Sequence, residues 1–364
     1  MSLDLVLRSD EKAVFNLRAL YGKYGYAQYK MSKFEEYDLY VKNKDFLVSE
    51  NVITFTDTDG KLMALKPDVT LSIIKNSKDN PDGVLKVFYD ENVYRVSKGT
   101  KSFKEIMQAG LECLGDVDDY AVLEVLTLAV KSLQSISNDF VLDVSSLDVI
   151  GLVMDELSLD ESEKKQVMLY LSEKNSKGIE LFLQAKGVPS KVGELLVALS
   201  KTYGAPEKII NVFENFELSE GVKSAFNKLC DLVKMLILTF GQDKIRIDFS
   251  VVNSLNYYNG IVFKGFVSGI PTGILSGGQY DNLMAKMGRK SKAIGFAVYL
   301  DELTKYSASE QLNFDVAIEY NDANAVDVNA LVKKFTDDGK SVIALKKVDD
   351  KIKYKQLIKM GGND

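Results

Sequence analysis

Phe103-Lys104-Glu105-Ile106-Met107-Gln108-Ala109-Gly110-Leu111-Glu112-Cys113 is the stretch whose reading decides the fold. Polar and small residues alternate with apolar ones toward its end, and successive side chains of a strand point to opposite faces, so Gln108, Gly110 and Glu112 share one face. A glutamate buried on that face needs a cationic partner, which a lysine or the amino group of a ligand would supply. Upstream, strands are expected at Val84 to Tyr89 and Glu91 to Val96. Pro67 and Asp68 open a short helix through Lys75, since proline suits a first helical turn and aspartate complements the positive helix end. Val52 to Phe55 and Lys61 to Leu65 flank Asp57-Thr58-Asp59-Gly60, whose Asp-Gly pair is a hairpin signal. Residues 9 to 22 read as an amphipathic helix, and residues 118 to 136 as an acid-started, apolar-striped one. Helix, strand pair, short helix, long antiparallel strands and back helix together indicate α+β rather than a doubly wound sheet.

From about 148 to 236 the pattern changes to consecutive helices with lysine-rich breaks, as in Glu173-Lys174-Asn175-Ser176-Lys177-Gly178. The sheet resumes at Lys244 to Phe249 and continues through Gly260 to Val267. The expected organisation is a core in two parts, 1–147 and 241–306, interrupted by a helical insert at 148–240. A short C-terminal α/β segment follows at 312–364. It should form a strand at Phe314 to Glu319, a helix carrying Val328, Leu331, Val332 and Phe335 on one face, and a strand at Ser341 to Leu345.

The 364 residues carry a formal charge of −6, which argues against a nucleic-acid-binding surface, because phosphate neutralisation needs a clustered basic excess. Histidine is absent, which excludes a histidine triad or general base and the commonest metal ligand. Arginine is confined to Arg8, Arg18, Arg95, Arg246 and Arg289. Cys113 and Cys230 lie among apolar neighbours and form no metal spacing, so they read as reduced core residues. No cofactor or metal site is expected. Met1-Ser2-Leu3-Asp4 begins no signal sequence and no apolar run reaches membrane-spanning length, so the chain reads as cytoplasmic.

Six short elements follow one another along the chain: Leu65-Lys66-Pro67-Asp68-Val69-Thr70, then Phe88 to Arg95, Gln108-Ala109-Gly110-Leu111-Glu112, Leu255-Asn256-Tyr257-Tyr258-Asn259-Gly260, Ser276-Gly277-Gly278-Gln279-Tyr280-Asp281, and Leu300-Asp301-Glu302-Leu303. In this order they resemble the patterns L-R-P-E-x-T, F-R-x-E, Q-x-G-x-E, R-G-L-D-Y-Y, G-G-R-Y-D and G-L-E-R of the histidyl-tRNA synthetase catalytic core, over roughly residues 5 to 305. The resemblance implies a class II aminoacyl-tRNA synthetase-like antiparallel sheet flanked by helices, and a homodimer. It also implies histidine-binding roles for Asp68, Thr70, Arg95, Gln108, Glu112, Tyr257 and Tyr258. Gly277 and Gly278 would let the ligand approach the backbone.

The departures point away from catalysis. Asn253 stands where the synthetase pattern has the arginine of R-G-L-D-Y-Y, Gln279 where it has that of G-G-R-Y-D, and Glu302 where it has that of G-L-E-R. The glycine of G-L-E-R is matched by Tyr299 and the glutamate of F-R-x-E by Ser97. At an effective dielectric of ~20, a like-charge contact at ~4 Å costs about 4 kcal/mol, so Glu302 opposes the polyphosphate an arginine would hold. These losses resemble the ATP phosphoribosyltransferase regulatory subunits, which have this core. That likeness implies a non-catalytic subunit that binds the short-form catalytic subunit in the first step of histidine biosynthesis, with histidine as feedback effector. Lys66 and Gln279 depart from that family's pattern as well. The alternatives are a histidyl-tRNA synthetase or related amino-acid-adenylating enzyme, and a stand-alone amino-acid sensor.

Overall fold

The computed structural model describes residues 7–43, 47, 52–96, 102–187, 191–252, 257–306, 313–350 and 352–361. They fall into two compact units: Ala13–Leu303, and Met1–Lys12 together with Thr304–Asp364. The strands in chain order are β1 (Ala27–Gln28), β2 (Phe34–Glu36), β3 (Thr54–Thr56), β4 (Leu62–Leu65), β5 (Val84–Val96), β6 (Phe103–Gly115), β7 (Phe140–Ser146), β8 (Tyr203–Gly204), β9 (Ile245–Asp248), β10 (Asn259–Val267), β11 (Leu275–Gln279), β12 (Lys292–Tyr299), β13 (Asn313–Glu319), β14 (Val342–Leu345) and β15 (Lys353–Lys359). The helices are α1 (Ser9–Lys23), α2 (Tyr37–Lys42), α3 (Thr70–Asn76), α4 (Asp119–Ile136), α5 (Leu147–Glu156), α6 (Glu161–Ser172), α7 (Ser176–Ala185), α8 (Lys191–Lys201), α9 (Pro206–Phe213), α10 (Glu220–Phe240), α11 (Asp281–Lys286), α12 (Leu300–Tyr306) and α13 (Ala325–Asp337).

The larger unit is built on a nine-stranded sheet in the order β1-β5-β6-β12-β11-β10-β7-β9-β8. Its six central strands, β5 to β7 in that order, pair antiparallel. Where two strands had been expected between Val84 and Val96, a single thirteen-residue strand runs through Asp90 and pairs with β6 along its whole length. The hairpin of β3 and β4 does form, but with β2 it makes a separate three-stranded sheet. The α3 helix starts at Thr70 rather than Pro67, and Asp68 accepts a hydrogen bond from the Leu71 amide at 2.9 Å instead of entering the helix.

Alternation along β6 sorts its residues between two apolar layers. Ala109, Leu111 and Cys113 join the layer with α1 and α4, in company with Leu17, Val125 and Leu133. Leu114 and the neighbouring Val87, Tyr89 and Ala293 join a second layer on the opposite face, with Val69, Ile73, Tyr257 and Tyr280. Asp118 caps α4 by accepting from the Ala121 amide at 2.8 Å. The α4 helix tolerates a buried Glu124 because Lys86 pairs with it at 2.6 Å. Helices α5 to α10 do not stand apart: Val149, Leu171, Leu196 and Phe226 belong to the same buried layer as Leu142 and Ile247 of the sheet.

In the smaller unit β13 lies between β14 and β15, and both pairings are parallel. The strand Lys353–Lys359 has no counterpart in the expected strand–helix–strand pattern. Its lysine-rich sequence, KYKQLIK, hides the period-two signal, and its exposed residues mark it as an edge.

Candidate functional site

The face of the large sheet away from α4 carries a cavity of about 470 Å³. Asp68 comes from the turn before α3 and Thr70 from the first position of that helix, Tyr89 and Arg95 from β5, Gln108 and Glu112 from β6, and Tyr257 and Tyr258 from the entry to β10. Ser276, Tyr280, Gly295 and Tyr299 also line it. Register explains the convergence, since Glu112 lies opposite Gly295 and Gln108 opposite Tyr299, and paired residues in a ladder point to the same face.

Glu112 is the centre of the polar network. Thr70 donates its hydroxyl to Oε1 at 2.7 Å and Tyr280 donates to Oε2 at 2.6 Å, with the carboxylate only 2% exposed. Of the two cationic partners expected from the sequence, a lysine or the amino group of a ligand, no lysine answers it among the described residues; neutral hydroxyls do. Burial pushes the Glu112 carboxyl up to about 8, the two hydroxyls pull it down, and the nearby Asp68 adds to the rise. Asp68 is likewise raised by burial, against the pull of the Leu71 amide and Arg95. Arg95 does not pair with Glu112; its Nε donates to the Pro67 carbonyl at 2.9 Å, and it also interacts with the Tyr299 hydroxyl. Burial raises the hydroxyls of Tyr89, Tyr257, Tyr258 and Tyr280 well above the ordinary tyrosine range, so all four are neutral donors. Tyr257 packs between Tyr258 and Tyr280, with ring centroids 4.6 and 5.9 Å away.

Of the residues singled out in the sequence, Asp68, Thr70, Arg95, Gln108, Glu112, Tyr257 and Tyr258 line the cavity. Gly277 does not: it faces the other side of the sheet, where a Cβ would strike the Phe263 ring at 2.7 Å. Gly278 makes room for Tyr258, whose Cδ1 would sit 2.8 Å from an added Cβ. Each glycine makes room for a packed side chain. The glycine that the polar network itself requires is Gly295, since any Cβ there would overlap the Glu112 carboxylate. Gln279 turns its side chain to the backbone, accepting from the Ile261 amide at 2.8 Å. Glu302 lies outside the lining and accepts from the Thr272 hydroxyl at 3.1 Å. Asn253 lies outside the described residues. Tyr89, Tyr280 and Ser276 had not been singled out; Tyr280 stands within the quoted Gly-Gly-Gln-Tyr-Asp element, which was the available signal. Lys66, fully buried, pairs with Glu91 at 3.2 Å, and burial lowers its ammonium against that pull. Among the described residues there is no cluster of metal-ligating side chains, and no helix is long and apolar enough to cross a membrane.

The histidyl-tRNA synthetase family model matches residues 6–303. A curated ATP phosphoribosyltransferase regulatory subunit of Caldanaerobacter subterraneus subsp. tengcongensis is 32% identical over 293 residues, 79% of this chain and 75% of that protein. One from Bacillus cereus is 26% identical over 342 residues, 91% of this chain and 81% of that protein. In fold, the chain is similar to an ATP phosphoribosyltransferase regulatory subunit/histidyl-tRNA synthetase from Bacillus halodurans, with a TM-score of 0.72 and 23% identity over 98% of this chain and 95% of that one. It is similar also to a chain of the ATP phosphoribosyl transferase (HisG:HisZ) complex from Thermotoga maritima, with a TM-score of 0.63 and 20% identity over 79% of this chain and 96% of that one.

Proposed function

The chain belongs to the ATP phosphoribosyltransferase regulatory subunits within the histidyl-tRNA synthetase family, and we propose that it binds histidine in the Glu112 cavity without activating it. The observation that carries this reading is the buried Glu112 carboxylate, held by two hydroxyls and facing a cavity, because such a group gains most from an incoming ammonium. In this reading the amino group of histidine lies against Glu112 and Asp68, its carboxylate against Arg95, and its ring among Tyr257, Tyr258 and Gln108.

Activation would need cations for the carboxylate and a polyphosphate, and the positions that carry them in the synthetase pattern are spent elsewhere. The Gln279 amide is committed to β10, Glu302 brings the wrong sign, and Tyr299 puts a phenol into the cavity where the pattern has glycine. We assign the chain a regulatory role, with no catalysis of its own. Its partner is the short-form catalytic subunit of ATP phosphoribosyltransferase, and its setting is the cytoplasm. Histidine shifts the activity of the assembly by binding its inhibited form more tightly. A homodimer is the expected core of that hetero-oligomer. The organisation that goes with this reading is a core of 1–147 and 241–306 with a helical insert at 148–240 and a C-terminal segment at 312–364.

Two assays test the proposal. Co-expression with a short-form catalytic subunit should give a complex that co-purifies and transfers phosphoribosyl groups to ATP, and failure to co-purify would remove the partner. Histidine-dependent exchange of pyrophosphate into ATP should be absent, and robust exchange would instead make the chain an adenylating enzyme.

A further inference from the structure

A second cavity, of about 570 Å³, lies further along the same sheet face, between β7, β9 and β10, the turn that carries Lys174 and the edge strand β8 with Tyr203. Its chemistry is the opposite of the first. Arg246 holds Asp143 with Nε at 2.7 Å and Nη2 at 3.0 Å, which leaves both hydrogens of Nη1 without a protein acceptor among the described residues. Lys174 pairs with Asp248 at 2.8 Å. Lys264 lines the cavity, its Nζ 5.5 Å from the Phe266 ring centroid, and among the described residues no carboxylate pairs with it. Tyr203, on the edge strand, is ringed by Lys174 at 4.2 Å, Lys208 at 5.2 Å and Arg246 at 5.9 Å. Lys208 too has no carboxylate partner among the described residues. Three cations of the lining thus meet two carboxylates, an excess of one positive charge in a chain whose overall charge is −6, with Lys208 outside the lining against Tyr203.

The backbone adds an independent observation. Lys174 has φ of 52°, the left-handed conformation that follows the end of α6, where glycine is the unstrained choice. The Lys174 and Asn175 amides close the helix on Leu171 and Tyr170 in the usual manner of such an end, so the turn itself does not call for a lysine. Asp143 and Asp248 are buried at 3% and 5% exposure and serve as fixed anchors, so Arg246 and Lys174 are held at the cavity wall rather than swinging freely in water.

We propose that this second cavity binds a small polyphosphate anion, either free pyrophosphate or the diphosphate arm of a nucleotide, through Arg246, Lys174 and Lys264 of its lining. Planar guanidinium and flexible ammonium groups arranged around one space match several phosphate oxygens at once, and the anchoring carboxylates keep the order of the cations from being lost on binding. The site is separate from the Glu112 cavity and goes beyond the histidine reading.

The test is calorimetric titration of the full chain with sodium pyrophosphate and, separately, with ADP, at two salt concentrations. Saturable binding with a dissociation constant on the order of 1 mM or tighter, weakening as salt rises, is expected. Lys264→Gln should weaken it by about tenfold, and Lys208→Gln, whose ammonium lies against Tyr203 outside the lining, by less. Lys61→Gln, on the separate three-stranded sheet, should leave it unchanged, and all three variants should keep their histidine affinity. ADP binding at least tenfold tighter than pyrophosphate assigns the site to a nucleotide, and equal affinities assign it to the diphosphate alone. No saturable binding of either anion, or wild-type affinity in Lys264→Gln, overturns the proposal. Loss of histidine binding with anion binding intact would sink the other reading and leave this one standing.

Discussion

Glu112 and Asp143 lie on the same face of the same sheet, linked through the pairs Gly110–Ala297, Ala297–Ser276, Ser276–Lys264 and Lys264–Asp143. Both are almost fully buried, at 2% and 3% exposure, and burial raises the carboxyl of each. They differ in what answers them. Arg246 grips Asp143 with two hydrogen bonds and pulls its carboxyl back down. Among the described residues Glu112 receives only the hydroxyls of Thr70 and Tyr280, and the charge that acts on it is another carboxylate, that of Asp68. The carboxylate of Asp143 is therefore completed by the fold, whereas in the proposed reading that of Glu112 is completed by a ligand that brings a positive charge.

The comparison breaks first at Glu112. Replacing it by Gln keeps the shape and removes the charge, and a charge-assisted contact to a buried ammonium is worth about 2–5 kcal/mol. Histidine binding by Glu112→Gln should fall by about thirtyfold or more in calorimetry, while the melting temperature holds or rises. A variant that binds like the wild type would show that Glu112 is only structural. Gly295→Ala attacks the same carboxylate by volume, and overpacking of this kind should cost about 1–3 kcal/mol in urea unfolding. An unchanged midpoint would mean that Glu112 has room to move.

Proton linkage sharpens the contrast. A carboxyl raised from 4.5 to about 8 binds its proton more tightly folded than unfolded. Its contribution is fully present below about pH 4.5 and is lost as the pH rises toward 8. Stability of the ligand-free chain should therefore decline across that window, and Glu112→Gln should flatten the decline. Histidine affinity runs the other way, because the amino group is bound by the ionised form. It should improve with pH up to about 8, by at most about tenfold per unit, or about 1.4 kcal/mol. A pH-independent affinity would contradict the role given to Glu112. At the small end, Thr272→Val removes one exposed bond to Glu302 and should shift stability by less than about 0.5 kcal/mol, with histidine binding unchanged.

The sequence made one half of this comparison legible. Glu112 and Gln108 stand out because strand alternation puts polar residues where apolar ones would otherwise pack, and Asp68, Thr70, Tyr257 and Tyr258 follow from motif order. The partners of Glu112 were not legible, because which hydroxyl reaches a buried oxygen depends on strands far apart in the chain: Tyr280 is 168 residues from Glu112. The same reason hid the role of Gly295, which is set by a neighbour across the ladder. Strand β7 escaped notice because Phe140 to Ser146, buried on both faces, offers no clear alternation. The second cavity was hidden too, since Arg246 and Lys174 read locally as a strand residue and a lysine-rich break.

The central claim is that the Glu112 cavity takes histidine and stops there. Its most direct test is calorimetric titration of L-histidine into the chain assembled with a short-form catalytic subunit, for wild type and Glu112→Gln side by side. Saturable binding in the wild-type complex, weakened by about thirtyfold or more in the variant, is the predicted result. No heat of binding in the wild-type complex, or equal affinity in the two, would contradict it.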